Sequence, residues 1–418
     1  MTPSEGFLLI LVAILIIIVL PRFKVHIAIA IMIGALFLLF ALGAQWDKVL
    51  LALLNWHNFW RIIVIVFLSL LIVALMEKVG YLNMMVNAVK SLASSLGSSM
   101  VSISSFIGLL PMPGGAYVSA RLVDSLAKEM SLNPLEATSL NYWFRHLWEY
   151  WWPLYTGVIV ASAIFNVTIP DFVIHMFFLT ILAVTGGYLF IYYPIMKKKN
   201  IKKKRVEKDR GREFGKLLYS AWPILVVMLL TLVGIPVPTK GGLEIQRVDL
   251  FYSLLVVDLT LIGILIYRGR KKDAIYGLKF ALKPTFLGVT FAALFMKIAV
   301  LQTNSMYYTY EFFNLYHIPA FVVIIVLPYL AGLMTGVTVA YVAATFPLLL
   351  PFIGTPPSFA AIALAYASGY AGHLTSPVHL CLVLSAQHFK ADVYKVIKRV
   401  SPAVIFVVAI TLLIYFLA

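Results

Sequence analysis

Charge is scarce in this chain of 418 residues. Only 12% of positions are Asp, Glu, Lys or Arg, about half the share usual in soluble proteins. Acidic residues are the scarcer kind, 17 against 33 basic. Cysteine is nearly absent: Cys381 stands alone, so no intrachain disulfide and no multi-cysteine metal cluster can form. The sequence has no phosphate-binding glycine loop followed by Lys-Ser/Thr, no zinc-protease His-Glu signature and no Gly-x-Ser-x-Gly elbow. Those gaps argue against an ATP-driven pump and against the common hydrolases. No basic residue precedes the first apolar run in "MTPSEGF", so that run reads as a retained helix rather than a cleaved signal peptide.

What fills the chain is apolar. Hydrophobic residues make up 62%, and many runs approach the roughly 20 residues that a helix needs to cross a bilayer. The expected class is an all-α polytopic membrane protein whose surroundings are lipid. A net charge of +16 could suggest nucleic acid as a partner. The basic residues, however, gather between apolar runs, above all from Lys197 to Lys216. That pattern is a cytoplasmic loop under the positive-inside rule, with anionic lipid headgroups as a further contact. No nucleic-acid partner is expected.

Candidate spans fall at about 6–20, 25–43, 61–79 and 171–193, then at about 217–235, 248–267, 284–302 and 402–418. Between them lie two apolar segments that break themselves, about 100–127 and 319–352, each followed by a long interrupted stretch, about 134–168 and 358–388. Amphipathic pieces, "MMVNAVKSLASSL" and "MYYTYEFFNLYH", precede the two broken segments and read as interfacial. With Lys197–Lys216 inside, and both broken segments entering and leaving by one side, "PRFK", "RGRKK" and "KADVYKVIKR" also fall inside. The N- and C-termini then lie outside a cytoplasmic membrane. Each half has five crossings plus one re-entrant hairpin. Five is odd, so residues 1–193 and 217–418, joined by the basic loop 194–216, form two inverted repeats, as in secondary transporters.

The repeat also shows in the residues. A displacement of 224 carries Gly108, Leu109, Ala116, Tyr117, Val118 and Ala120 onto Gly332, Leu333, Ala340, Tyr341, Val342 and Ala344. The same displacement carries Tyr142 onto Tyr366 and Pro153 onto Pro377. The tips are "PMPGG" (Pro111–Gly115) and "MTGVT" (Met334–Thr338). Prolines there cannot donate backbone hydrogen bonds, and glycines permit unusual dihedrals. Non-helical backbone at membrane depth survives only where protein or a watery cavity covers it. Free amides at a half-helix start attract anions, and free carbonyls coordinate cations. Pro113, Gly114, Gly115, Thr335, Gly336 and Thr338 are therefore candidate binding positions. The competing reading is a proline kink packed against a neighbour.

The most loaded stretch is "NYWFRHLWEYWWPLYTG", Asn141 to Gly157. Arg145 and Glu149 share a helix face, and ionisable residues at this depth point to function. Arg145 is the candidate counter-charge for an anion. Glu149 either carries a proton, ligates sodium, or pairs with Arg145 to fix packing. His146 reads as packed. Trp143, Trp148, Trp151, Trp152, Tyr150 and Tyr155 form either an interfacial belt or a pocket wall. In "ASGYAGHLTSPVH", Ala367 to His379, Ser368, Thr375 and Ser376 are candidate cation or substrate ligands, and His373 a candidate proton carrier. His373 and His379, six apart, are not expected to share a helix face or to bind metal. Arg121 and Asp124 are expected to pair. Lys297 either pairs with a carboxylate, attracts an anion or snorkels. Asp258 is a buried candidate without an assigned place.

"GLLPMPGGAYVSARLVD" followed by "NYWFRHLWEYWWPLY" resembles the integral membrane proteins of the domain of unknown function 401 family, and the resemblance spans most of the chain. That family is grouped with the ion transporter superfamily, which includes gluconate permeases and divalent anion–sodium symporters. The resemblance implies inverted repeats with two re-entrant hairpins, often dimeric, moving substrate by an elevator-like motion. Divalent anion–sodium symporters carry Ser-Asn-Thr at both tips; here neither tip does, so dicarboxylate specificity and sodium sites do not carry over. The expectation is a homodimeric secondary transporter of a small, carboxylate-type organic anion, coupled to H⁺ or Na⁺. No other cofactor and no metal are expected. The alternative is a membrane-embedded enzyme or lipid-handling protein; a channel fits the paired dead-end hairpins less well.

Overall fold

The computed structural model describes residues 1–111, 115–199, 209–239 and 242–418. Helices dominate. The first half runs α1 (Pro3–Val19), α2 (Ile27–Ala41), α3 (Trp46–Leu54), α4 (Arg61–Val79), α5 (Tyr81–Leu92), α6 (Leu96–Gly108), α7 (Gly115–Glu129), α8 (Pro134–Arg145), α9 (Thr156–Phe165), α10 (Ile169–Gly187) and α11 (Tyr193–Lys199). The second runs α12 (Arg210–Met228), a two-stranded hairpin of β1 (Ile235–Thr239) and β2 (Gly242–Gln246), then α13 (Leu250–Tyr267), α14 (Lys271–Ala281), α15 (Pro284–Leu301) and α16 (Ser305–Leu315). It ends with α17 (Ala320–Thr335), α18 (Thr338–Ile353), α19 (Phe359–Leu374), α20 (Leu380–Phe389) and α21 (Val393–Leu417).

Among the described residues, seven helical stretches are long and apolar enough to cross a membrane. The chain is a transmembrane protein. The other apolar helices, among them α2, α6, α9, α17, α18 and α20, span 10–17 residues.

Local chemistry sets the boundaries. Thr2 with Glu5 and Asn133 with Glu136 form capping boxes that start α1 and α8, each helped by a proline at the next position. Such boxes satisfy orphan amides reciprocally. Two non-glycine residues, Asn166 and Lys390, end α9 and α20 in the left-handed region, at φ 55° and 59°. They lie 224 apart.

Element order in the second half repeats that of the first: two long helices, a short one, a long one, an amphipathic one, a helix–turn–helix, an interrupted helix and a final long helix. Packing is reciprocal between the halves. Helix α2 lies on α15 and α4 on α13; α5 lies on α12 and α16 on α1; α9 meets α18 and α7 meets α20. The sequence reading overlooked α3, α14 and the β-hairpin. It also placed the last span at 402, where α21 starts at Val393.

Candidate functional site

Helices α6 and α17 pack closely against the two interrupted helices. Helix α6 ends at Gly108, and a Cβ built there would stand 2.0 Å from the Arg145 carbonyl oxygen. Helix α17 passes α19 at Gly332, where a Cβ would stand 2.1 Å from the Gly369 carbonyl oxygen. Only glycine allows such an approach. Both partners of the second contact lie 224 residues beyond those of the first.

The interrupted helices hold one another's breaks. Helix α8 stops at Arg145 and α9 starts at Thr156; α19 stops at Leu374 and α20 starts at Leu380. Tyr142 of α8 donates its hydroxyl to the Leu374 carbonyl at 2.8 Å, and Tyr366 of α19 donates to the Glu149 carbonyl at 2.9 Å. Tyr370 donates to the His146 carbonyl at 3.0 Å and Tyr155 to the Gly108 carbonyl at 2.5 Å. These phenols satisfy carbonyls that an uninterrupted helix would satisfy itself, as burial requires.

The turns and breaks enclose a cavity of about 260 Å³. Its wall includes Pro111, Arg145, Glu149, Gly336, Thr338 and His373, drawn from both halves. Arg145 and Glu149 are both buried and pair at 3.3 Å. His373 is buried, and neither ring nitrogen meets a hydrogen-bond partner of good geometry. Three helices begin on this wall: α9 after Tyr155, α18 after Val337 and α20 after His379. None has a side-chain cap. Their first amides are left for the cavity, and each helix start carries roughly half a positive charge. Arg145, paired with Glu149, lies on the same wall.

A second cluster sits alongside. His146, His379 and Cys381 offer ligand atoms within 4.8 Å of one another. His146 Nδ1 lies 2.5 Å from the Tyr142 carbonyl and His379 Nδ1 3.2 Å from the His373 carbonyl. A carbonyl only accepts, so each Nδ1 carries the proton. The donor types suit a soft metal. The surroundings oppose one: the Arg145 guanidinium is 3.4 Å from His146 Nε2, and two of the three ligands belong to the start of α20.

Over residues 4–418 the chain matches the family described as Protein of unknown function (DUF401). It belongs to the DUF401 family. No protein of the curated set matches it.

In this DUF401 chain the wall of the cavity gathers Arg145, Glu149, Gly336, Thr338 and His373 of the expected positions. Gly115 is buried as the first residue of α7; Pro113 and Gly114 lie outside the described residues. Four others are not on the wall. Thr335 and Thr375 turn their hydroxyls back to the Ala331 and Ala371 carbonyls, at 2.7 and 2.8 Å. Ser376 accepts from the Val378 amide at 3.4 Å. Ser368 is buried within α19, its hydroxyl without a partner.

Two expectations are corrected, on Asp124 and on His373 with His379. Asp124 pairs with Lys128 at 2.6 Å and His388 at 3.3 Å, not with Arg121, which lies over the Tyr117 ring. The His373 and His379 rings are 3.9 Å apart despite their spacing, because the chain is broken at 375–379 and His379 begins a new helix. Of the aromatic residues read as a belt or a pocket wall, Trp143, Trp151 and Trp152 are buried; Trp143 donates to the Ala183 carbonyl at 3.0 Å and Trp151 to Thr180 Oγ1 at 2.8 Å. Lys297 donates to the Ala163 carbonyl near the end of α9, with no carboxylate partner among the described residues. Asp258 is buried, neither oxygen with a partner among the described residues. Tyr155, Gly157, His379 and Cys381 also line the cavity. The repeat contained the signal: displacement by 224 carries Glu149 onto His373, Tyr155 onto His379 and Gly157 onto Cys381.

Proposed function

We propose that this protein is a secondary transporter of a small organic anion. One observation carries the reading: three uncapped helix starts and a buried arginine converge on a single cavity built from both halves. Half-helix starts aimed at an anionic group are the usual solution for such substrates at membrane depth. A volume of about 260 Å³ suits a small carboxylate, with Arg145 as its counter-charge. Glu149 and His373, at equivalent places in the two halves, are the groups for coupling to H⁺ or Na⁺.

In this reading the halves are inverted repeats, each of five crossings and one re-entrant hairpin, with the basic stretches cytoplasmic and both termini outside. Helices α6–α10 and α17–α21 form the moving body, and α1–α5 with α12–α16 the stationary one, through which two chains pair. The mutual packing of α2 on α15 and α4 on α13, apart from that of α9 on α18 and α7 on α20, supports the division. A ligand moves such an equilibrium only by binding the two states unequally.

The test is a thermal-shift screen of the purified protein against small carboxylates, with and without sodium, followed by counterflow in proteoliposomes. The expected result is exchange of labelled for unlabelled substrate by the native protein. The doubly neutral variant R145A/E149Q is expected to be folded and inactive. Undiminished exchange by that variant would refute the role of Arg145.

A further inference from the structure

A second cavity, of about 390 Å³, opens where α8, the helical turn that follows α10 (Tyr188–Tyr192) and the start of α21 come together. Leu135, Phe190 and Pro402 form its apolar part; Lys395, Lys398 and Arg399 supply its charge. Residues 395, 398, 399 and 402 follow helical spacing, so all four face one way from α21. Among the described residues none of the three basic groups pairs with a carboxylate. The acidic groups nearby are engaged elsewhere. Asp392 caps α21 by accepting from the Lys395 amide at 2.8 Å. Glu136 of α8 accepts from the Asn133 amide at 3.0 Å and pairs with Lys199 at 3.4 Å. Basic residues in other clusters differ: Arg270 pairs with Asp273 and Lys216 with Glu213, each at 2.7 Å.

The cluster occupies the first turns of a 25-residue helix that is otherwise apolar. That is the depth of lipid headgroups. Below it, α10 and α21 pack together, with Phe190 and Phe406 rings 5.9 Å apart and Ile405 exposed at 65%. Charge above and an exposed apolar strip beneath match a phospholipid and not a soluble anion. We propose that this cavity binds the phosphodiester headgroup of an anionic phospholipid, whose acyl chains run along α10 and α21. The site would couple the cytoplasmic leaflet to the start of α21 and does not depend on the transport reading.

The experiment compares three full-length proteins: native, K395Q/K398Q/R399Q, and K271Q/K272Q, which removes charge from a different basic cluster. Lipid retention is read by native mass spectrometry, and stabilisation by thermal shift with phosphatidylglycerol, phosphatidylcholine or inorganic phosphate. The native and K271Q/K272Q proteins are expected to retain phosphatidylglycerol and be stabilised by it but not by phosphatidylcholine. The triple variant should bind it roughly a hundredfold more weakly, from about 1 kcal/mol for each basic residue, with unchanged melting in phosphatidylcholine. Equal retention by the triple variant and the native protein would overturn the proposal. So would equal losses in both variants, which would indicate general surface charge. Full stabilisation by inorganic phosphate would overturn the lipid assignment.

Discussion

Gly108→Ala is the sharpest probe of how α6 seats against the break that follows α8. The added Cβ would stand 2.0 Å from the Arg145 carbonyl oxygen, where ordinary contact begins at 3.4 Å. The obstacle is backbone, so no rotamer change relieves it. Helix α6 must retreat from the break in the α8–α9 segment by roughly 1 Å, a strain of about 1–3 kcal/mol on the scale of overpacked cores. The retreat also pulls the Gly108 carbonyl from Tyr155, whose hydroxyl now donates to it at 2.5 Å. A fall in melting temperature on the order of 5 °C is expected. Tryptophan fluorescence in detergent suits the measurement, because Trp148, Trp151 and Trp152 cluster at this break with ring centroids 5.3–6.1 Å apart. Gly332→Ala should behave alike, its Cβ 2.1 Å from the Gly369 carbonyl oxygen. Gly263→Ala on α13 meets nothing within 4 Å and is the control. If Gly108→Ala melts with Gly263→Ala, the close approach of α6 to the break is not structural and the reasoning fails.

Other substitutions test separate parts of the site. Arg145→Ala leaves Glu149 buried without its partner at 3.3 Å and should cost about 3–5 kcal/mol, most of it regained in R145A/E149Q; equal melting of the single and double variants would contradict this. Tyr142→Phe and Tyr366→Phe each strip the donor from a carbonyl at the opposite break, which should cost about 1–3 kcal/mol by thermal or denaturant unfolding. Asp258→Leu removes a buried carboxyl with no partner for either oxygen. Its melting temperature should equal or exceed that of the native protein, and a marked fall would indicate a contact that matters.

Much of the fold was legible because its signals are local. Apolar runs mark helices such as α4 and α13 within a few residues, and Pro111 and Gly336 mark the breaks. Helix α3, "WDKVLLALL", and α14, "KKDAIYGLKFA", escaped notice because each is short, partly polar and squeezed between longer runs. Within the site, Arg145, Glu149 and His373 stood out as polar groups in apolar surroundings. Cys381 and His379 did not, because their importance comes from facing Arg145 and His146 across the two halves. Hydroxyls misled in the opposite direction. Thr335 and Thr375 look like ligands in a string, yet each bonds a carbonyl one turn back, a local partner open to any threonine in a helix. For the tryptophans the sequence left a belt and a pocket wall open; Trp143 and Trp151 are buried, and their indole N–H groups donate to a carbonyl and a hydroxyl inside the protein.

The uncapped starts of α9, α18 and α20 have a consequence for how the protein can diversify. Peptide N–H groups are supplied by almost every residue type, so no ordinary exchange of side chains abolishes them. Substitutions can reshape the walls of the cavity, and with them its size and polarity, while the positive ends of these three helices stay written into the main chain. Offsetting that positive potential would take carboxylates planted at the three helix starts.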